Sequence, residues 1–447
     1  MTRMWLAPIV LVCAAMTASA APVEKPAQVD ALFASCANGE APGASVIVIQ
    51  NGEVLHERSY GLASIELGVA NTPGTVFRLG SMTKQFTAMA ILQLHDRGLL
   101  SIDDLVARYL PDAPHGDAIT IRHLLTHTSG IGQADDAQLE FAPGERLNYS
   151  NKGYWLLGRI IEKISGRPYE EYLRENVLGP LGMSHTGFEH RNEVIKNRAS
   201  GYSNREGGGY LNTGFDDVSG AYSAGALYST VRDMRLWDQA LYTDKLAKPE
   251  TIELAFTPAK LNDGRLASFG FGWMVRDYRG LREVCHGGDI SGFNSYIARF
   301  PDQRFTVIVL SNVGMWPAGP TPTSEVLAHR IAEIYLADVM HPASERKSIA
   351  VDPAILAEYV GRYRLSGAAE VVGVMGDTIT FTMENGRLWA ETKLGREELL
   401  AECETRFFWK AYRDSTAEFT RDSSGKVDGL MLLLMGVREI RAERVPE

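Results

Sequence analysis

Apolar and polar positions follow two different periods along this chain. Ala44 to Gln50 and Val54 to Tyr60 read as strands on either side of Asn51-Gly52, a two-residue hairpin signal. Phe269 to Asp277 and Phe293 to Phe300 are strand-like as well, and Tyr296 to Phe300 with Thr306 to Leu310 predicts a second hairpin around Pro301-Asp302. Between these ends the apolar positions fall at helical spacing instead. Phe86, Met89, Ile91 and Leu94 predict a helix from Ser81 to Arg97, stopped by Gly98, and Tyr154 to Ile164 predicts another. The interior up to Leu241 reads as mostly helical, and a last helix falls near Ser324 to Ala337.

That pattern predicts an α/β (α+β) domain over residues 21–340, with an antiparallel sheet built from the two ends, a helical lobe inserted between them and a cleft where the lobes meet. After a linker at 341–352 the period-two signal returns in short pieces: Thr378 to Met383, Arg387 to Glu391, Glu418 to Arg421 and Leu430 to Leu434. Residues 353–447 are therefore expected to form a separate all-β, barrel-like domain. A small barrel is either packed with side chains or open to one ligand, and the pattern fits both.

Composition agrees with two cores: 447 residues, 45% of them hydrophobic. The first twenty residues carry Arg3, an apolar Trp5 to Met16 stretch and Ala18-Ser19-Ala20 before Ala21, the pattern of a cleavable signal peptide. The apolar run is too short to span a bilayer comfortably, and Val12 stands before Cys13 where a lipoprotein signal needs a small residue. The expectation is an exported protein, periplasmic or secreted, without a stable membrane anchor. Export changes the formal net charge from −10 to −11, since Arg3 is the only charged residue lost. It leaves Cys36, Cys285 and Cys403, enough for at most one internal disulfide. The acidic balance, with no Gly-rich phosphate loop, C-x-x-C pair or basic run, predicts neither a nucleic-acid partner nor a cofactor. Oligomeric state is not legible.

Three short boxes carry the candidate chemistry: Ser81-Met82-Thr83-Lys84, Tyr149-Ser150-Asn151 and His286-Gly287-Gly288. Ser344-Glu345-Arg346-Lys347 and Ser423-Ser424-Gly425-Lys426 also match S-x-x-K, but the first lies in a charged stretch and the second in a polar turn. Ser81 instead opens an apolar-periodic helix, so Lys84 shares its face, and the helix N-terminus directs N–H groups and positive dipole toward a developing oxyanion. A serine hydroxyl needs an adjacent base, which a desolvated lysine or tyrosine supplies. Tyr149 follows the Phe141-Ala142-Pro143-Gly144 turn; a phenol titrates near 10 in water and needs neighbouring cations, Lys84 and His286 being the candidates. The glycines after His286 let a substrate approach the backbone. Each box also has a plain structural reading: a cap serine with a surface lysine, a half-buried tyrosine before a capping asparagine, and a turn histidine.

Taken together, the boxes resemble those of the serine β-lactamase and penicillin-binding-protein superfamily, and the tyrosine-bearing second box resembles its class C branch. Ile121-Arg122-His123-Leu124-Leu125-Thr126-His127-Thr128-Ser129-Gly130, Tyr222-Ser223-Ala224-Gly225-Ala226-Leu227-Tyr228-Ser229-Thr230 and Ser291-Gly292-Phe293-Asn294-Ser295-Tyr296 support the likeness, which runs from Val29 to Ala337. It implies a β-lactamase/transpeptidase-like fold in which Ser81 is the nucleophile and Lys84 and Tyr149 share proton transfer. Asn151 would position the substrate amide or Lys84, while His286 and Gly288 line the substrate site and the N–H groups of Ser81 and Asp289 form the oxyanion hole. The C-terminal domain resembles the lipocalin-like barrel appended to some penicillin-binding-protein-like peptidases.

The third box departs from the family's Lys-Thr-Gly: the fixed cation and hydroxyl that hold a substrate carboxylate are replaced by a histidine, as in esterase and D-aminopeptidase members. The implied substrate is a small ester, peptide or amide, cleaved through an acyl-enzyme at Ser81. The alternatives are a β-lactamase or D-alanyl-D-alanine carboxypeptidase and, in another class, a non-catalytic penicillin-recognising or ligand-binding protein. Glu145 precedes the tyrosine box in a turn and is expected to be solvated. His123 and His127 have zinc-ligand spacing, but Leu124 replaces the glutamate of H-E-x-x-H, so they are expected to be structural. Cys285 adjoins His286, yet strand alternation turns the two to opposite faces.

Overall fold

The computed structural model describes residues 24–36, 39–132, 138–205, 207–213, 216–314, 322–342, 347–366, 375–393, 395–410, 415–434 and 438–446. The expected signal segment, with Cys13, and part of the expected linker lie outside them. Six antiparallel strands make the main sheet, in the order Met274–Tyr278, Leu281–Ile290, Phe293–Phe300, Phe305–Ser311, Ala44–Gln50 and Glu53–Tyr60. Strands from the two ends of this first domain thus pair with each other, Ile47 opposite Ile308. Asn51 and Gly52 both adopt positive φ (52 and 84), as a type I′ hairpin requires.

Phe293–Phe300 and Phe305–Ser311 are buried along their whole length, so a layer covers each face of the sheet. On one face Ile47, Ile49, Val284, Ile297 and Ile308 join the core of the helical lobe. On the other, Val46, Val48, Cys285, Ala298 and Val307 pack beneath the Lys25–Leu32 and Ser324–Leu336 helices. The lobe is less helical than its spacing predicts. It also holds a small sheet of Phe77–Arg78, Leu227–Ser229 and Gly187–Phe188, whose two- and three-residue strands are too short to leave a period. The expected strand at Phe269 starts later, at Met274, because Gly270 and Gly272 (φ +76) turn the chain first.

The C-terminal region is a closed barrel of eight antiparallel strands, Gly361–Ser366 pairing with Arg438–Arg444 to complete the ring. Four strands were legible; Gly361–Ser366, Gly395–Ala401, Arg406–Trp409 and Arg438–Arg444 were not, because charged outward positions and short length dilute their apolar alternation. A helix at Pro353–Tyr359, capped by Asp352, precedes the barrel and sends Leu356 and Tyr359 into its core. Tyr359 stacks on Phe419 at 4.1 Å, and Phe381, Tyr363 and Phe407 surround Phe419 edge-on. The barrel's centre is therefore packed with aromatic side chains. Among the described residues no helix is long and apolar enough to cross a membrane, and no cluster of three or more His, Cys, Asp or Glu could hold a metal ion.

Candidate active site

The nucleophile box hangs from the Phe77–Arg78 strand. Leu79 donates its N–H to Leu227 O at 2.8 Å, Gly80 turns with φ +53, and a 3-10 turn over Gly80–Met82 leads into the Thr83–Asp96 helix. Ser81 thus precedes the regular helix. The turn docks on the Leu281–Ile290 strand through two glycines. A Cβ at Gly288 would fall 1.9 Å from Leu79 O, and one at Gly80 would lie 3.1 Å from Asp289 N. Ser295 Oγ completes the seam by donating to Leu79 O at 2.8 Å. The space a side chain at Gly288 would need is therefore taken by the backbone of Leu79, and the amide of Asp289 is brought beside the turn that carries Ser81.

Lys84 is fully buried, with Nζ 3.1 Å from Ser81 Oγ; it donates to Asn151 Oδ1 at 2.7 Å and to Ala224 O at 2.8 Å. Asn151 is held for this by the Asn151–Ser165 helix, which starts three residues earlier than its apolar spacing suggests because Ser150 caps it, accepting from Gly153 N. Nζ also lies 4.8 Å from the centroid of the Tyr149 ring. First and second boxes thereby converge on one ammonium. The Ala224 carbonyl is a functional group that sequence reading missed, since a backbone acceptor has no side-chain signature.

The third box lies within the Leu281–Ile290 strand, not in a turn. Alternation sends Cys285 and Gly287 to the back layer, Gly287 opposite Tyr296, and turns His286 and Gly288 to the front. Burial first, then the Glu283 carboxylate, pushes the Cys285 thiol well above its ordinary range. His286 is not the cation that the boxes suggested. Burial and the neighbouring Lys84 charge lower it to about 3 against a small opposing effect of its bond to Gly287 O, 2.6 Å from Nδ1. With Nδ1–H donating to that carbonyl, Nε2 is a buried acceptor without a hydrogen-bond partner among the described residues. Phe269 lies edge-on to His286 at 5.7 Å and to Tyr149 at 6.0 Å, so the three rings form one cluster.

His123 and His127 do not converge. His123 belongs to a capping box with Thr120 on the short Ile121–Leu125 helix, while His127 lies past its end with φ +58. That left-handed backbone costs about 1–2 kcal/mol. A stack on Tyr149 at 4.2 Å offsets it by about 0.5–1.5 kcal/mol. The backbone bond from Asn148 N to His127 O at 2.8 Å and the bond from Ser150 N to His127 Nδ1 at 3.0 Å add about 1 kcal/mol each. Glu145 is exposed and accepts from Ala142 N within its own turn. Beside that turn a cavity of about 420 Å³ is lined by Arg146, Leu147, Asn262, Ser268 and, from the barrel, Leu433.

A serine and lysine one helical turn apart, packed between an antiparallel sheet and a helical lobe with a tyrosine-bearing loop at the lysine, define the serine-hydrolase-type fold of β-lactamases and penicillin-binding proteins. Comparison with known proteins agrees. The family described as Beta-lactamase matches residues 29–330, and a domain of unknown function, DUF3471, matches 345–444. Penicillin-binding protein 4* of Bacillus subtilis (strain 168) is 31% identical over 413 residues, 82% of this chain and 88% of that protein. An octameric penicillin-binding protein homologue from Pyrococcus abyssi superimposes with a TM-score of 0.62 at 25% identity, over 94% of this chain and 99% of that one. D-amino acid amidase from Ochrobactrum anthropi SV3 shares the fold, with a TM-score of 0.60 at 23% identity over 70% of this chain and 99% of that one. The chain belongs to the β-lactamase family.

Proposed function

We propose that this protein is an exported serine hydrolase that cleaves small esters or peptide-like amides through an acyl-enzyme at Ser81. The observation that carries the reading is the placement of Lys84 Nζ, 3.1 Å from Ser81 Oγ, with two carbonyl oxygens already taking its protons. With Asn151 Oδ1 and Ala224 O each accepting one proton of the Lys84 ammonium, loss of its third proton to solvent makes Lys84 the base, its lone pair then facing the serine hydroxyl. Ser81 Oγ then attacks the carbonyl carbon while its proton passes to Lys84, and Tyr149 returns a proton to the departing oxygen or nitrogen. The amides of Ser81 and Asp289 receive the oxyanion. Water then attacks the acyl-serine and gives its proton to the Tyr149 phenolate, while Lys84 returns its proton to Ser81 Oγ as the acid leaves, which restores all three groups. The barrel takes no part in these steps, and export rests on the first twenty residues.

Neutral His286 supports a substrate without a free carboxylate at that end, since a permanent cation is missing there. A second reading, acylation by penicillins, is favoured by the likeness to penicillin-binding protein 4* along most of both chains. Intact-mass spectrometry separates the two. After exposure to a p-nitrophenyl ester, a D-amino-acid amide and a penicillin, the ester and amide should turn over and leave at most a transient adduct, and the penicillin should react slowly. A long-lived penicillin adduct with no ester turnover would replace the first reading by the second. Ser81→Ala should lose every adduct and about a millionfold in rate while staying folded; acylation of that variant at full speed would end both.

A further inference from the structure

We infer that His127 is a positioning residue for the catalytic tyrosine, acting as a three-point template for the loop that presents Tyr149; this rests on the proton-transfer role proposed for Tyr149. The contacts bracket the tyrosine in sequence. Asn148, just before it, donates its N–H to the His127 carbonyl at 2.8 Å, and Ser150, just after it, donates its N–H to His127 Nδ1 at 3.0 Å. The imidazole lies nearly parallel to the Tyr149 ring itself, with centroids 4.2 Å apart and planes 26° from each other. One residue thus holds the backbone on both sides of Tyr149 and one face of its ring. With Tyr149 held this way, its ring also lies 4.8 Å from Lys84 Nζ.

The side chain could not do this from an ordinary backbone conformation. His127 has φ +58, and its own ring is wedged edge-on against Phe269 at 4.8 Å and tilted against Tyr154 at 5.0 Å. Tyr154 is in turn fixed by donating to Leu125 O at 2.8 Å. Acceptance of the Ser150 N–H at Nδ1 leaves the ring proton on Nε2, so a neutral imidazole in one tautomer is what the loop requires. Ser150 is also the cap of the helix that begins with Asn151, so the same bond ties the tyrosine loop to the residue that accepts from Lys84. A small displacement of a catalytic group costs rate steeply.

A double-mutant cycle on the full-length protein tests this, with kcat and KM for a p-nitrophenyl ester measured in every variant. Tyr149→Phe alone should lower kcat about a hundredfold. His127→Ala alone should lower kcat by about ten- to thirtyfold with KM little changed, but by less than about twofold in the Tyr149→Phe background, because a template has nothing left to position. His127→Asn should return to within about threefold of the parent, since asparagine tolerates positive φ and its Oδ1 can accept from Ser150 N–H. It also keeps the test alive if His127→Ala does not fold. Equal losses from a His127 substitution in both backgrounds would make its role merely structural and overturn the inference. If Tyr149→Phe has no effect, the tyrosine's role in the proposed function fails, and the template inference fails with it.

Discussion

The hydrolase region and the barrel both close around apolar cores, but they differ in what else they enclose. The first buries Lys84, Arg78, Asp238, Glu283 and Arg299 almost completely. Each has a partner: Arg78 grips Glu189 through two nitrogens, at 2.9 and 2.7 Å, and Arg299 Nε meets Asp238 Oδ1 at 2.6 Å. In the barrel, the buried polar side chains among the described residues are Glu398, Ser415 and Thr416, and its centre is a cluster of aromatic rings. A buried charge costs several kcal/mol unless it is paired and hydrogen-bonded. The hydrolase region tolerates that cost at many places, and at Lys84 the buried Nζ stands 3.1 Å from the Ser81 hydroxyl. The barrel does so at Glu398, which Arg387 and Lys410 hold at 2.8 and 2.7 Å, and its centre is left to aromatic rings.

The largest test of this contrast is Asp238→Ala. It strands the Arg299 guanidinium, which is completely buried and caged by Tyr242, Phe256 and Trp273. A loss of about 3–5 kcal/mol in unfolding free energy is expected from denaturant titration. A change below about 1 kcal/mol would mean that water reaches the guanidinium and that this core is not dry. Phe419→Ala, in the barrel, should cost about 3 kcal/mol by opening a cavity in the ring cluster. It should leave the rate of Ser81 acylation by a small ester within about twofold. A folded Phe419→Ala protein that cannot be acylated would show that the barrel contributes to the reacting centre, and the contrast would fail.

Acid should destabilise the hydrolase region by a smaller, graded amount. For Glu283, burial opposes ionisation, but the charges and hydrogen bonds of Arg276 and His329 outweigh it and hold the carboxyl at about 2. Its stabilisation is complete above the unfolded value of 4.5 and is lost as pH falls through about 2. His286 acts in the same direction. Held neutral down to about 3, it takes no proton in the folded state while the unfolded chain gains one below 6.5, so stability declines as pH falls from 6.5 toward 3. The melting temperature should therefore decrease steadily below pH 6.5. His286→Gln should flatten the upper part of that curve and Glu283→Gln the lower part. An unchanged slope between pH 6.5 and 4.5 in His286→Gln would show that His286 titrates normally and that the site does contain a cation.

Local chemistry was legible without coordinates. The Asn51-Gly52 hairpin needs only two residues that accept positive φ, and the pairing of Ser81 with Lys84 needs only one helical turn, since both are decided within four residues of chain. The convergence of Tyr149 and Asn151 on Lys84 was legible only as a likeness of spaced motifs, because their contact spans 67 residues. Four barrel strands escaped notice for a different reason: in Arg438–Arg444 the apolar Ile440 and Ala442 stand among five charged residues, so the alternation that marks a strand is faint until ring closure shows which side is inside.

The residue types, their order and the short-range geometry of each box follow from local chain chemistry, since φ preferences and helical spacing act over a few residues. Tertiary structure alone decided their states. Whether His286 is charged depends on what surrounds it and on the distance to Lys84, and enclosure holds it neutral. Whether position 288 has room for a side chain depends on how the turn that carries Ser81 docks. Whether His127 is a metal ligand, a cap or a template depends on where the chain returns at Asn148 and Ser150. Desolvation, docking and stacking are properties of neighbours brought together from distant parts of the chain, and no local pattern encodes them.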